Sequence, residues 1–314
     1  MKKAALLILA VTVISGGLLL TAYIENQYFY FSTYIVLQYI ILATAWNILG
    51  GYTGYVNFGT GAYFGVGAYT AGYLITNFNL PLPWLIVAGG TSSAVLGLAI
   101  GYLTLRLKGV YFSIATLAMS IVIATLIINT PALGGAKGMY ILRPKEVSFF
   151  SNYMELLFAT MVIIAVFTVA LAWFIENSWF GRGLAAIRDD EVAAACNGVP
   201  VLRLKVLSAT TSGALMGIAG APYPYYISYM EPLSTISLDM AVNSLAMPLI
   251  GGTGSWIGPV LGAILLSTTQ QVATVTISSE YNLLIVGILL VGFVILAPNG
   301  LVGLFQSLLK RRTD

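Results

Sequence analysis

The sequence predicts an all-α integral membrane protein, a polytopic bundle of about 9–10 transmembrane or re-entrant helices. Three observations lead there. Hydrophobic residues make up 59% of the chain, charged residues only 8%, and histidine is absent, whereas a water-facing surface draws on roughly 25% charged residues. Residues 26–105 contain no Asp, Glu, Lys or Arg, a run that only lipid tolerates, with the backbone groups paired inside helices. Apolar stretches also recur at the length of about 20 residues that a helix needs to cross a bilayer.

In chain order, the spans are expected at 4–24, 32–50, 56–77, 83–105, 110–129, 154–175, 202–224, 256–275 and 281–297. Residues 1–314 are read as a single transmembrane domain. The first stretch follows Lys2 and Lys3; a basic start suits a signal peptide or a span, and its near-spanning length favours the span. The apolar run 240–251 is short and ends in Gly251-Gly252-Thr253-Gly254. It is either a tenth span or a broken, re-entrant helix.

The basic residues set the expected orientation. With Lys2 and Lys3 inside, Arg106, Lys108, Arg182, Arg188, Arg203, Lys205, Lys310, Arg311 and Arg312 also fall inside. The exceptions, Lys137, Arg143 and Lys145, share the loop 130–153, while Glu25, Glu146, Glu155, Glu231, Asp239 and Glu280 fall near the opposite face. Both termini are therefore expected in the cytoplasm of a multi-pass protein of the cell (inner) membrane.

Glycine dominates 50–73, GGYTGYVNFGTGAYFGVGAYTAGY. It contains no G-x-G-x-x-G and no lysine, which disfavours nucleotide binding. Gly50 and Gly54, like Gly61 and Gly65, have the spacing that lets helices approach closely in lipid. A broken helix lining a polar route is the functional alternative, with Asn47, Thr53, Asn57, Thr60 and, further on, Asn243 as candidate pathway residues. Residues 48–54 also echo 249–254, which suggests an internal repeat of the kind transporters use.

Several chemistries are excluded. No G-x-x-x-x-G-K-[ST] occurs, so the chain has no ATP-hydrolysing loop. Without histidine there is neither a Ser-His-Asp triad nor an H-E-x-x-H zinc site, and an enzyme is not expected. Cys196, the single cysteine, cannot form an internal disulfide or metal cluster and reads as a small helix-packing residue. No ionisable residue lies deep in an expected span to carry protons. No cofactor and no nucleic-acid partner are expected of this chain.

Charge gathers instead in GRGLAAIRDDEVAAACNGVPVLRLK (181–205), which holds seven of the 25 charged residues. Arg182 to Asn197 is alanine-rich and reads as one short helix, with Arg188 and Glu191 three apart and able to pair. Asn197-Gly198 before Pro200 is its stop. A helix that forms in a cytoplasmic loop is expected to dock on something.

Five blocks carry a resemblance: NILGGYTGYVNFGTGAYFGVGAYTA (47–71), LRLKGVYFSIATLA (105–118), FGRGLAAIRDDEVAAACNGV (180–199), LIGGTGSWIGPVLGA (249–263) and APNGLVGL (297–304). In this order they resemble the LivM-type permease subunit of branched-chain amino acid ABC transporters. The resemblance implies import of branched-chain or other small neutral amino acids. It also implies a homologous LivH-type permease, two cytoplasmic ATPases that carry the ATP and magnesium, and an external solute-binding protein. It makes 181–199 a coupling helix resembling the E-A-A-x-x-x-G loop of ABC importers. Ala193, Ala194 and Gly198 keep that frame, and Glu191 sits one residue before the acidic position. Arg182, Arg188, Asp189 and Asp190 complete the ATPase-coupling set. Relatives often place an acidic residue where Asn243 stands, which leaves urea, short amides and aromatic acids open as solutes. A stand-alone channel or secondary carrier is the alternative from another class.

Overall fold

The computed structural model describes residues 12, 14–16, 26–144, 152–276, 282–296 and 300–304. The expected first span at 4–24 lies almost entirely outside them, as do Lys2, Lys3, Glu25, Lys145, Glu146, Glu280 and the basic tail from Lys310 to Arg312.

Asn26 caps α1 (Gln27–Thr53), which runs until Gly54 adopts a left-handed φ of 77°. That conformation suits glycine and stops the helix. Helix α2 (Thr60–Phe78) begins only after the non-helical link 54–59. Then come α3 (Leu82–Thr104), α4 (Val110–Ile128) and α5 (Tyr153–Glu176). The charged segment holds α6 (Trp179–Asp189) and α7 (Glu191–Cys196), followed by α8 (Val201–Gly220). Short α9 (Tyr223–Ile227) and α10 (Pro232–Thr235) precede α11 (Leu238–Gly251), α12 (Ile257–Thr276) and α13 (Asn282–Leu296).

Among the described residues, α1, α3, α4, α5 and the stretch Pro232–Gly251 are long and apolar enough to cross a membrane. Helix α11 alone has 14 residues, a rise of about 21 Å against a hydrocarbon core of about 30 Å. It reaches spanning length only together with α10. The expected span 202–224 ends early, at Gly220, because the Ala221-Pro222 turn redirects the chain into α9.

Small residues bring the helices together. Gly67 on α2 and Gly89 and Ser93 on α3 meet Gly217 on α8, so a Cβ at Gly217 would overlap Ser93 and the Gly89 carbonyl. Gly97 and Gly101 continue the α3 contact along Ala209 and Thr210. The Ser93 hydroxyl donates to the Tyr63 carbonyl at 2.7 Å, and Ser212 to that of Ala45 at 2.7 Å, so α8 is tied to α1 and α3 to α2. Close backbone approach through small residues is how helices associate where lipid removes the hydrophobic drive. One apolar core extends from Tyr34 on α1 to Val286 on α13.

Between the helices, β1 (Met139–Tyr140) pairs antiparallel with β2 (Tyr229–Met230), Met139 facing Met230. Arg143 donates from Nε to the Tyr225 carbonyl at 2.7 Å and from its terminal nitrogen to that of Tyr226. It caps the end of α9, where a cation complements the helix dipole.

Candidate functional site

The charged segment is two helices, not one. Ser178 caps α6 by accepting from the Gly181 amide at 3.2 Å. Gly181, Leu184 and Ile187 form its buried face, while Arg182, Arg188 and Asp189 stay exposed. At Asp190 the backbone turns extended (φ −158°, ψ 112°), and the carboxylate accepts from the Val192 and Ala193 amides at 2.8 and 3.0 Å. Aspartate is a stronger N-cap than helix-interior residue, so the chain breaks there and restarts as α7. Gly198 ends α7 with φ 80°, as the sequence led us to expect.

The expected Arg188–Glu191 pair is not formed. Arg188 lies 3.5 Å from Asp189, and Glu191 turns inward. Its Oε1 is 3.0 Å from Lys205 Nζ, and its Oε2 accepts from the Tyr55 hydroxyl. Lys205 is 2% exposed. It donates to Glu191, to the Tyr55 hydroxyl at 3.0 Å and to the Leu105 carbonyl at 2.9 Å. Its ammonium also lies 4.4 Å from the Tyr55 ring centroid, a cation–π distance. Burial raises the affinity of the Glu191 carboxyl for its proton, but the hydrogen bonds from Tyr55 and Lys205 and the charges of Lys205 and Lys108 outweigh it. They hold the group below the usual carboxylate range. Of the frame residues, Ala194 is buried, while Ala193 and Gly198 face out; Cys196 is exposed and packs against no helix core.

Tyr55 belongs to the link between α1 and α2, several of whose polar groups are paired with neighbouring helices. Ser113 donates to the Val56 carbonyl at 2.8 Å, Thr116 accepts from the Phe58 amide at 3.1 Å, and Ser120 donates to the Phe58 carbonyl at 3.3 Å. Trp46 donates to the Asn57 carbonyl at 2.7 Å, and Asn57 Oδ1 accepts from the Gly59 amide at 2.7 Å. Asn57 thus stabilises its own turn, and Thr53 bonds back to the Leu49 carbonyl. The fully buried Thr60 hydroxyl has no partner. Asn243 lies elsewhere, donating to the Tyr39 hydroxyl at 3.4 Å and accepting from the Gln270 amide at 3.0 Å. The structure gathers Asn47, Thr53, Asn57 and Thr60 around the link and leaves Asn243 apart.

The two echoing glycine blocks meet each other. Asn47 donates to the Ser255 carbonyl at 3.3 Å, and a Cβ on Gly51 would stand 2.7 Å from the Thr253 carbonyl. Glu176, at the end of α5, accepts from the Trp256 amide at 2.7 Å and the Tyr52 hydroxyl at 3.3 Å, clamping both blocks. A cleft of about 130 Å³ between this junction and α6 is lined by Tyr52, Glu176, Arg182, Arg188 and Gly254. No group of three or more metal-ligating side chains occurs among the described residues.

Sequence reasoning missed Tyr55, Lys205 and Glu176. Lys205 and Glu176 stood at the edges of expected spans, where a charge reads as anchored in the headgroups. A position at the span edge facing a second charge in the next loop was the available signal.

The family model described as branched-chain amino acid transport system, permease component, matches residues 28–294. The high-affinity branched-chain amino acid transport system permease protein LivM of Escherichia coli is 29% identical over 302 residues, covering 88% of this chain and 70% of that protein. A probable branched-chain amino acid transport permease protein, LivH of Methanocaldococcus jannaschii, is 25% identical, with 87% of this chain and 90% of the relative covered. The fructose import permease protein FruG of Bifidobacterium longum is 26% identical across 93% of this chain and 89% of its own length. No solved structure matches.

Proposed function

The chain belongs to the family of branched-chain amino acid transport permease components, and from that premise we propose that it is the membrane subunit of an ATP-driven importer for branched-chain or other small neutral amino acids. In this reading a LivH-type permease completes the membrane body, an external binding protein delivers solute, and two cytoplasmic ATPases bind ATP and magnesium. Both termini and the α6–α7 segment lie in the cytoplasm.

One observation carries the reading. A multi-pass body without an ATP-binding loop presents two short helices whose outer face shows Arg182, Arg188, Asp189, Val192 and Ala193. Exposed charges of both signs around Val192, which is 62% exposed, suit a complementary groove on a partner. We assign the ATPase contact to this face together with Asp190 and Gly198; Glu191 and Ala194 serve it from behind.

The likeness to a fructose permease favours a second reading of the solute alone, in which the same machinery carries another small neutral molecule. Uptake of labelled leucine by vesicles holding the complete complex, challenged with isoleucine, fructose, urea and an aromatic acid, tests both. The first reading expects competition by isoleucine and not by fructose. Leucine uptake unaffected by isoleucine but blocked by fructose, urea or the aromatic acid would replace the solute class. No ATP-dependent uptake of labelled leucine, or of any of the challengers when labelled in turn, would sink the proposal.

A further inference from the structure

We infer that Lys205 is the positioning residue that carries movement of the α6–α7 segment to the α1–α2 link and the α3–α4 turn. The inference rests on the proposed importer function. Lys205 is on α8, and its three N–H donors reach three other segments: Glu191 on α7, Tyr55 in the link and the Leu105 carbonyl in the α3–α4 turn. A single buried ammonium therefore joins four segments, with every donor used.

What surrounds it makes this attachment decisive. On α7, Val192, Ala193, Ala195 and Cys196 are exposed. Among the described residues, Glu191 is the α7 side chain that bonds to the rest of the bundle; Asn197 bonds only to the nearby Ala193 carbonyl. Apart from the packing of the buried Ala194, a shift of α7 reaches the link and the α3–α4 turn through the Glu191–Lys205–Tyr55 cluster. Beyond Tyr55, the link is held by the Ser113, Thr116 and Ser120 hydroxyls of α4 and by Trp46 of α1. Displacing Tyr55 therefore pulls on both helices. Tyr55 also packs edge-on to Phe112 of α4, with ring centroids 5.3 Å apart. For stability alone, an apolar side chain of equal reach would serve as well, since a buried ion pair rarely outperforms one. What the ion adds is fixed geometry among separate segments.

The charged groups facing this cluster are Glu191, Lys205 and Lys108, with the Tyr55 phenol between them. The outward Arg182, Arg188, Asp189 and Asp190 take no part in it.

The test uses the complete complex in vesicles, with Lys205→Met, Lys205→Arg and Tyr55→Phe compared to the parent protein. ATP hydrolysis and uptake are measured in the same preparation. Lys205→Met is expected to keep the ATPase subunits bound and hydrolysing, while solute moved per ATP falls about tenfold, within the span of ordinary coupling energies. Lys205→Arg recovers part of the ratio, and Tyr55→Phe lowers it less than Lys205→Met. An unchanged ratio in Lys205→Met overturns the inference. Should Lys205→Met fail to assemble, Tyr55→Phe, which removes one hydroxyl, decides by the same ratio.

A solute-independent readout separates this inference from the function it rests on. Spin labels at the native Cys196 and at Val56→Cys report whether α7 and the link move together on nucleotide binding. The distance is expected to hold constant with Lys205 present and to vary with nucleotide in Lys205→Met. Equal behaviour in both proteins contradicts the inference whatever the solute. Absent uptake in the parent complex counts against the function alone.

Discussion

Glu191 and Lys205 form the point where single atoms matter most. Their pair is largely buried, with side-chain exposures of 23% and 3%. Removing one partner strands the other, at a cost of about 3 kcal/mol where water is excluded. Glu191→Ala should therefore lower the thermal midpoint of the detergent-solubilised protein more than Arg188→Ala, whose pair is exposed. The Glu191 carboxyl is depressed in the folded state from a reference of 4.5. Its contribution is thus complete above that reference and is lost as pH falls through the folded value. The midpoint difference between the parent protein and Glu191→Gln should stay flat from pH 8 to pH 5 and shrink in more acid solution; a difference that shrinks near neutrality would contradict the assignment. Little of this was legible in the sequence. Spacing put Arg188 and Glu191 on one helix face, but the Asp190 cap rotates Glu191 away and hands it to Lys205, fourteen residues on.

At the scale of elements, the link 54–59 and the break at 190 decide how the charged end is built. The sequence placed glycine-rich chain at the first, and a broken helix with open polar groups was the functional expectation. Hydroxyls that look unremarkable on an apolar helix, those of Ser113, Thr116 and Ser120, pair the Val56 carbonyl and both backbone groups of Phe58. Such pairings join positions about 60 residues apart, and helical periodicity does not show them. Thr116→Val removes the partner of the part-buried Phe58 amide and should cost about 1 kcal/mol, read from the unfolding midpoint in detergent. Asp190→Ala removes the α7 cap and should cost about 1 kcal/mol, with a loss of helix order that amide exchange over 191–197 would register. Among the described residues, helices occur within a few residues of the expected spans, since hydropathy marks apolar helices directly, but only α1, α3, α4, α5 and Pro232–Gly251 are long and apolar enough to cross a membrane. The early end of α8 followed from Pro222, a breaker hidden inside an apolar run.

For the whole molecule, α8 crosses α1, α2 and α3 at small residues, so the charged segment, the link and the glycine junction share one end of a closely packed body. Gly217→Leu should abolish assembly in the membrane, because Ser93 and Gly89 already fill the space its side chain needs. The repeat of glycine blocks was visible in the sequence; that the two copies clasp each other under Glu176 was not, because contact between them depends on how α5 ends. The central claim is that ATPases outside this chain drive it through its charged segment. Vesicles holding the complete complex, with Arg182→Glu and Arg188→Glu introduced together, measure that most directly. ATP-dependent leucine uptake is expected to fall at least about tenfold, with fewer ATPase subunits retained on purification. Uptake that proceeds equally well in the double variant, or in vesicles holding this chain without ATPases, would contradict the account.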